Sequence, residues 1–139
     1  MSTPRSVRLV DRVDAGVQAL ARKSGRDVSA VINELLDEGL RMRRVPGIAF
    51  GESRGGRVAR LAGTGLAVYE VIRSLHEMDN DPARLRKAYG WLSEQQLRSA
   101  LAYAEAYSNE IEQRLSDDEE WTPERVWETY PFMRPTRRE

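Results

Sequence analysis

The sequence predicts a mainly helical protein in which a short N-terminal strand and a small β-hairpin accompany several helices. Apolar residues recur at spacings of three and four along most of the 139 residues, which is typical of amphipathic helices. Residues 5–9 instead alternate between apolar and polar side chains, which is typical of a strand. A glycine-rich polar segment at 51–56 separates two short stretches, and this arrangement predicts a hairpin.

The first element is the strand Arg5–Leu9, in which Val7 and Leu9 face one side and Ser6 and Arg8 face the other. A single strand leaves half of its backbone groups without hydrogen bonds, and no second strand follows locally. We therefore expect a second copy of the chain to supply the paired strand. A two-stranded ribbon fits the DNA major groove, and its polar face would carry Ser6 and Arg8.

Two amphipathic helices follow the strand. The first is predicted to begin at Asp11, a good N-cap residue, and to end at Ser24-Gly25. Asp27 is expected to cap the second helix, whose last turn carries three arginines within residues 41–44. The apolar stripes are Val13, Val17, Leu20 and Ala21 in the first helix and Val28, Val31, Ile32, Leu35, Leu36 and Leu40 in the second.

Residues 5–44 resemble the ribbon–helix–helix repressors in the strand, the two stripes, Gly25 and the Asp27-Val28-Ser29 start of the second helix. The resemblance implies a homodimer whose N-terminal strands pair into an antiparallel ribbon that reads base edges of double-stranded operator DNA. It also implies that the N-terminus of the second helix binds a phosphate. The DNA-contacting residues assigned in this way are Arg5, Ser6, Arg8, Val28 and Ser29.

A second domain is predicted to begin after the linker Val45-Pro46-Gly47, because proline and glycine together stop a helix. Ile48–Phe50 and Arg57–Leu61 are expected to form the strands of the hairpin, with Gly51–Gly56 as its turn. Ala62-Gly63-Thr64-Gly65 is expected to form a tight turn.

Three helices are predicted after this turn. The first covers about residues 66–78. The second covers residues 83–89 and follows the start signal Asp81-Pro82. The third begins with the capping box Ser93-Glu94-Gln95-Gln96 and continues, by its apolar spacing, to about residue 114.

Residues 45–115 resemble the bacterial family called domain of unknown function 433. The matching segments are Pro46-Gly47-Ile48, the turn Leu61–Leu66 and the segment Leu92–Tyr103. An arginine often follows the Gly-Thr pair in that family, whereas this chain has Gly65. Members of the family look like antitoxins encoded beside PIN-like ribonuclease toxins, so the resemblance implies an antitoxin with such a toxin as its partner.

Charge is distributed unevenly although the formal net charge is zero. Residues 1–44 have a net charge of +3 and residues 116–139 a net charge of −3. The C-terminal tail opens with the acidic run Asp117–Glu120 and then becomes rich in aromatic residues, which favours binding in a basic cleft of a toxin. The alternative is a helix that folds back on the second domain. The candidate toxin-binding residues are Trp121, Val126, Trp127, Tyr130, Phe132 and Met133.

Other classes of site find little support. The chain has no cysteine and a single histidine, His76, so a zinc site is not expected. We expect no catalytic residues, no metal and no cofactor, and therefore no enzyme, because no serine or threonine lies in a nucleophile-elbow context. The segment Gly51–Gly56 lacks the ending of a phosphate-binding loop.

The predicted second and third helices also have the spacing of a helix–turn–helix motif, with Glu94, Gln95 and Arg98 as the groove-facing candidates. A plain three-helix packing unit is the favoured interpretation, because a carboxylate such as Glu94 is repelled by phosphates.

The sequence therefore predicts three segments: a DNA-binding and dimerisation domain at 1–44, a second domain at 45–115 and a partner-binding tail at 116–139. The predicted function is that of an antitoxin that neutralises a PIN-like ribonuclease and represses its own operon. The alternative is a stand-alone ribbon–helix–helix repressor. We expect a cytoplasmic protein with no membrane partner, because the sequence has no signal peptide and no run of apolar residues long enough to span a bilayer.

Overall fold

A computed structural model describes residues 2–120 and 123–135 of the chain. The chain divides into an N-terminal unit that ends at Arg44 and a C-terminal unit that begins at Val45. As predicted, the protein is mainly helical. The elements in chain order are α1 (Asp11–Ser24), α2 (Val28–Arg44), β1 (Ile48–Ser53), β2 (Gly56–Leu61), α3 (Val68–Glu77), α4 (Pro82–Ala88), α5 (Glu94–Ala106), α6 (Ser108–Glu120), α7 (Pro123–Thr129) and a 3₁₀ turn at Pro131–Met133.

The predicted N-terminal strand Arg5–Leu9 is not formed in the single chain. Residues 2–10 contain no helix or strand, and the sheet in the described part of the chain consists only of β1 and β2. The physical reason is that a strand exists only with a hydrogen-bonded neighbour, and nothing in the N-terminal unit supplies one.

Helix α1 begins at Asp11, so the residue at its N-cap position is Val10 and not Asp11. Val10 is the extended residue at the N-cap position and its side chain forms no capping hydrogen bond, so the prediction of Asp11 as the cap was wrong. Asp11 and Asp14 instead lie in the first turn, where the positive end of the helix dipole favours acidic side chains.

The connection between α1 and α2 follows the prediction. Gly25 adopts the left-handed conformation with φ of 66°, and its N–H donates to the carbonyl of Ala21. Asp27 caps α2 by accepting a hydrogen bond from the N–H of Ala30 at 2.8 Å. The buried apolar side chains of this unit are Val17, Ala21 and Val31, with Val28 and Ile32 packed against them. A core of three buried side chains is small for a unit of this length.

The hairpin of the C-terminal unit is longer than predicted. β1 and β2 pair antiparallel from Ile48↔Leu61 to Ser53↔Gly56, so only Arg54 and Gly55 form the turn. The polar and glycine-rich composition of 51–56 suggested a loop, but pairing between backbones does not require apolar side chains.

Two helix starts confirm the predictions from their capping residues. The carboxylate of Asp81 accepts hydrogen bonds from the N–H groups of Ala83 and Arg84, with Pro82 at the first position of α4. Ser93 and Gln96 form both hydrogen bonds of the capping box at the start of α5. The core of this unit comprises Val45, Ile48, Ala59, Leu61, Val68, Val71, Ile72, Leu75, Leu85, Leu92, Leu97, Ala100, Tyr103 and Ile111.

The third predicted helix is in fact two helices, because the chain leaves helical geometry at Tyr107. α6 contacts the rest of the unit through Ile111 and Leu115, which lie in or against the core, and through polar side chains. Arg114 donates to the carbonyl oxygen of Arg57 at 2.7 Å, and Arg73 forms an ion pair with Asp118. Among the described side chains of α6, Ile111 is the buried one. None of the described helices combines the length and apolar character that crossing a bilayer demands.

Tyr69 on α3 leads us to expect that the stability of this packing depends on pH. Burial raises the pKa of the Tyr69 hydroxyl above its ordinary value of 10.0, and the carboxylates of Glu70 and Asp118 raise it further. As the pH rises past that ordinary value the unfolded chain loses this proton before the folded chain, so the contribution to stability is complete at lower pH and declines on further increase. We expect Tyr69→Phe to lose less free energy of unfolding than the wild type between about pH 9 and pH 11.

Urea unfolding at the two pH values measures this difference, and Tyr130→Phe, which changes an exposed tyrosine, is the control. Equal losses in the wild type and in Tyr69→Phe would contradict the prediction.

Candidate nucleic-acid and partner interfaces

The segment that carries the predicted base-reading residues lies on the surface. Arg5, Ser6 and Arg8 are all exposed. Val7 is 70% exposed, whereas Leu9 is half-buried. An exposed apolar side chain in a segment that forms neither helix nor strand marks a place suited to pairing with another chain.

The start of α2 forms a second candidate contact. The N–H groups of Val28 and Ser29 have no carbonyl one turn earlier in the helix to bind, and Ser29 is exposed. The carboxylate of Asp27 already engages the N–H of Ala30. A phosphate at this position would therefore contact Val28 and Ser29 rather than the whole first turn.

A large apolar surface of α2 was not predicted. Leu35, Leu36 and Leu40 were assigned to the core-facing stripe, yet all three are exposed, Leu36 by 61% and Leu40 by 69%. The sequence contains a signal for this outcome, because the stripe of α2 has six members and that of α1 only four. One short helix cannot cover so wide a stripe. We call the exposed residues Leu35, Leu36 and Leu40 the α2 face.

The C-terminal tail presents aromatic side chains to solvent. Tyr130 and Phe132 contact each other edge to face, with ring centroids 6.0 Å apart, and Phe132 is 83% exposed. Met133 is also exposed and Trp127 is half-buried. Trp121 lies outside the described residues, and of Val126 only the helical backbone is described. The structure thus brings together two of the six predicted toxin-binding residues, Tyr130 and Phe132.

The helix–turn–helix candidates lie at the start of α5. Glu94, Gln95 and Arg98 are exposed, and Arg98 forms an ion pair with Glu94 at 3.0 Å. This pairing places a carboxylate beside the cation that would have to meet a phosphate, which agrees with the preference for a plain packing unit. The preceding turn exposes Trp91 by 56%, a surface aromatic residue that the sequence interpretation did not single out.

The described part of the chain offers few features that would bind a small molecule or a metal ion. A cavity of about 50 Å³ beside Glu70, Ser74 and Tyr89 is far smaller than the usual ligand pocket. Among residues 2–120 and 123–135, no group of three or more acidic or histidine side chains is placed so that it could hold a metal ion. His76 is exposed at the end of α3, as expected of a polar residue on the solvent side.

Comparisons with protein-family models, curated proteins and solved structures find no match for this chain.

Proposed function

We propose that this protein is an antitoxin: a homodimeric repressor that binds operator DNA through its N-terminal unit and neutralises a PIN-like ribonuclease through its tail. The observation that carries the proposal is the incomplete N-terminal unit. Among its described residues this unit buries only three apolar side chains, leaves the α2 face exposed and has an N-terminal segment that forms neither helix nor strand.

A second copy of the chain removes all of these deficits at once. Pairing of two 5–9 segments satisfies their backbone groups, and two α2 faces in contact bury the exposed leucines. A heterologous partner would need both a free strand edge and an apolar groove at matching positions. Self-association needs only the surfaces that this unit already has.

DNA is the ligand that fits the paired segments. The N-terminal segment 1–44 has a net charge of +3, and Arg8 and Ser6 alternate with Val7 along the sequence. When Val7 and Leu9 turn toward the helices of a dimer, the other side chains turn outward. An arginine at such a position can form two hydrogen bonds to guanine in the major groove.

Sedimentation of the full chain, followed by titration with DNA taken from upstream of its own reading frame, tests the DNA-binding half. We expect a dimer at micromolar concentration and a shift in electrophoretic mobility that scrambled DNA of equal length does not reproduce. A monomeric chain, or equal affinity for both DNAs at physiological salt, would contradict the proposal.

The antitoxin half is supported by the exposed aromatic pair Tyr130–Phe132 and by the acidic residues that precede it. Aromatic anchors preceded by a run of acidic residues suit a ribonuclease cleft that binds RNA through basic residues. A stand-alone repressor, the alternative, has no use for such a tail.

Removal of the tail is expected to separate the two activities. Because Asp118 pairs with Arg73, we place the cut after Glu120, which leaves α6 complete. The shortened protein should still bind operator DNA but should no longer inhibit RNA cleavage by the nuclease encoded in the neighbouring reading frame. Trp91→Ala, which changes an exposed aromatic residue elsewhere, is the control and should still inhibit.

Full inhibition by the shortened protein would show that the tail is not the inhibitory element. A neighbouring frame that encodes no nuclease would favour the stand-alone repressor.

A further inference from the structure

The turn between α4 and α5 holds a tryptophan in place at the surface. Trp91 is 56% exposed, and its indole contacts the ring of Tyr89 edge to face, with ring centroids 6.0 Å apart. The hydroxyls of Tyr89 and of the buried Ser74 on α3 share a hydrogen bond at 3.1 Å. Directly after the tryptophan, Leu92 is buried and its N–H donates to the carbonyl oxygen of Tyr89. The indole is therefore preorganised although more than half of the residue lies in water.

Two cations without carboxylate partners end the helix that leads to this indole. Arg86 and Lys87 are exposed on the last turn of α4, and neither forms a salt bridge within the described part of the chain. The Nε of Arg86 donates to the carbonyl oxygen of Leu92 at 3.5 Å, so its guanidinium lies next to the backbone that follows Trp91. We call Arg86, Lys87 and Trp91 the α4–α5 surface.

From these observations we infer that the α4–α5 surface binds single-stranded nucleic acid, with a base stacked on Trp91 and neighbouring phosphates against Arg86 and Lys87. Each nucleotide of a single strand offers one flat base and one negative charge, which match the exposed indole and the two cations. Bases inside a duplex are stacked on one another and do not offer that face. The surface shares no residue with the proposed operator contacts or with the tail, so the inference goes beyond the proposed function.

A membrane would require more apolar contact than this surface offers. Among the described side chains of residues 45–120, Trp91 is the only large apolar one that is exposed. Helices that lie on a bilayer bury a continuous apolar face of several side chains. One indole is too little for that purpose, whereas stacking of a base requires only one ring.

Paired strands with and without bases test the stacking. The probes are a fluorescein-labelled thymidine decamer and an abasic strand with the same number of phosphates, each titrated with the full chain and followed by fluorescence anisotropy. We expect the wild type to prefer the thymidine strand. Trp91→Ala should lose about tenfold in affinity for that strand and less than about twofold for the abasic strand. Trp91→Tyr keeps a ring and should retain most of the preference.

Equal affinity of the wild type for the two strands would overturn the inference, and so would an unchanged preference in Trp91→Ala. Binding of the abasic strand by Trp91→Ala shows that the variant is folded, so a loss confined to the thymidine strand reports the base contact.

Lys87→Ala tests the phosphate contact. We expect it to weaken binding of both strands alike and to reduce the slope of log affinity against log salt concentration by about 0.7, the value for one phosphate contact with a single strand. Arg54→Ala, which removes an exposed cation from the hairpin turn, is the matched control and should leave the slope unchanged. A slope for Lys87→Ala equal to that of the wild type would also overturn the inference.

Two further measurements identify the class of ligand. A uridine decamer in place of the thymidine decamer distinguishes RNA from DNA, and dependence on Trp91 with either strand supports the inference. Vesicles of phosphatidylserine and phosphatidylcholine test for a membrane. Vesicle binding that is lost in Trp91→Ala while strand binding is unchanged would overturn the inference. Because Trp91→Ala is expected to keep inhibiting the nuclease, failure here would leave the proposed function intact.

Discussion

Tyr103→Ala is expected to lower the free energy of unfolding of the C-terminal unit by about 3–5 kcal/mol. The ring of Tyr103 is 0% exposed and packs between Phe50 on β1 and Tyr107 at the end of α5. Its hydroxyl donates a hydrogen bond to the carboxylate of Glu110 on α6. The side chain thus links the hairpin to two helices, and truncation leaves a cavity where all three meet.

Tyr103→Phe separates packing from hydrogen bonding. It keeps the ring and removes only the hydroxyl, so the expected loss is about 1–3 kcal/mol, and Glu110 is left with one donor fewer. Urea unfolding followed by tyrosine and tryptophan fluorescence measures both variants. Equal losses for Tyr103→Ala and Tyr103→Phe would mean that the ring is not the structural link between the hairpin and α6.

Arg8→Ala is expected to reduce discrimination between operator and scrambled DNA by about 1–3 kcal/mol for each half-site. The side chain is exposed, so its removal should leave the fold unchanged. Its predicted contribution is readout of a base rather than general attraction to phosphate. The affinity for operator DNA should therefore fall more than the affinity for scrambled DNA.

Arg54→Ala is the matched control for this loss. It removes an exposed arginine of the same charge from the hairpin turn of the C-terminal unit, where no base contact is proposed. Competition binding at fixed salt measures the ratio of affinities for the two DNAs. If Arg8→Ala and Arg54→Ala change that ratio equally, the N-terminal segment does not read sequence.

The sequence predicted best those features that depend on neighbouring residues. The capping box of Ser93 and Gln96, the cap of Asp81 and the left-handed Gly25 were all assigned correctly. Each of these is a local hydrogen bond or a local backbone conformation, so the residues that decide it lie within one helical turn.

Features that depend on distant residues were predicted less well. The spacing from Leu97 to Leu115 is the same in one long helix and in two helices with a break at Tyr107, because both keep apolar residues at every third or fourth position. The break turns α6 toward the hairpin, where Arg114 reaches the carbonyl oxygen of Arg57. That long-range hydrogen bond leaves no periodic signal in the sequence.

For the candidate interfaces, too, the sequence predicted some features correctly and others wrongly. Alternation along residues 5–9 predicted an outward Arg8, and the acidic run favoured a tail with Phe132 open to a partner; both side chains are exposed. Periodicity placed Leu36 and Leu40 in a core, because an apolar stripe indicates burial without indicating which molecule provides the cover. The two leucines are exposed in the single chain, so the same pattern serves a core and an interface.

The three-residue core of the N-terminal unit has a consequence for how repression would respond to the amount of protein. When folding of a unit is coupled to association, its melting temperature rises with total concentration. Dilution then both dissociates and unfolds the species that holds the operator. At low expression, the fraction of operator that is bound should therefore vary with the square of the number of protein chains in the cell. A modest drop in synthesis of the protein would then sharply increase transcription from the promoter.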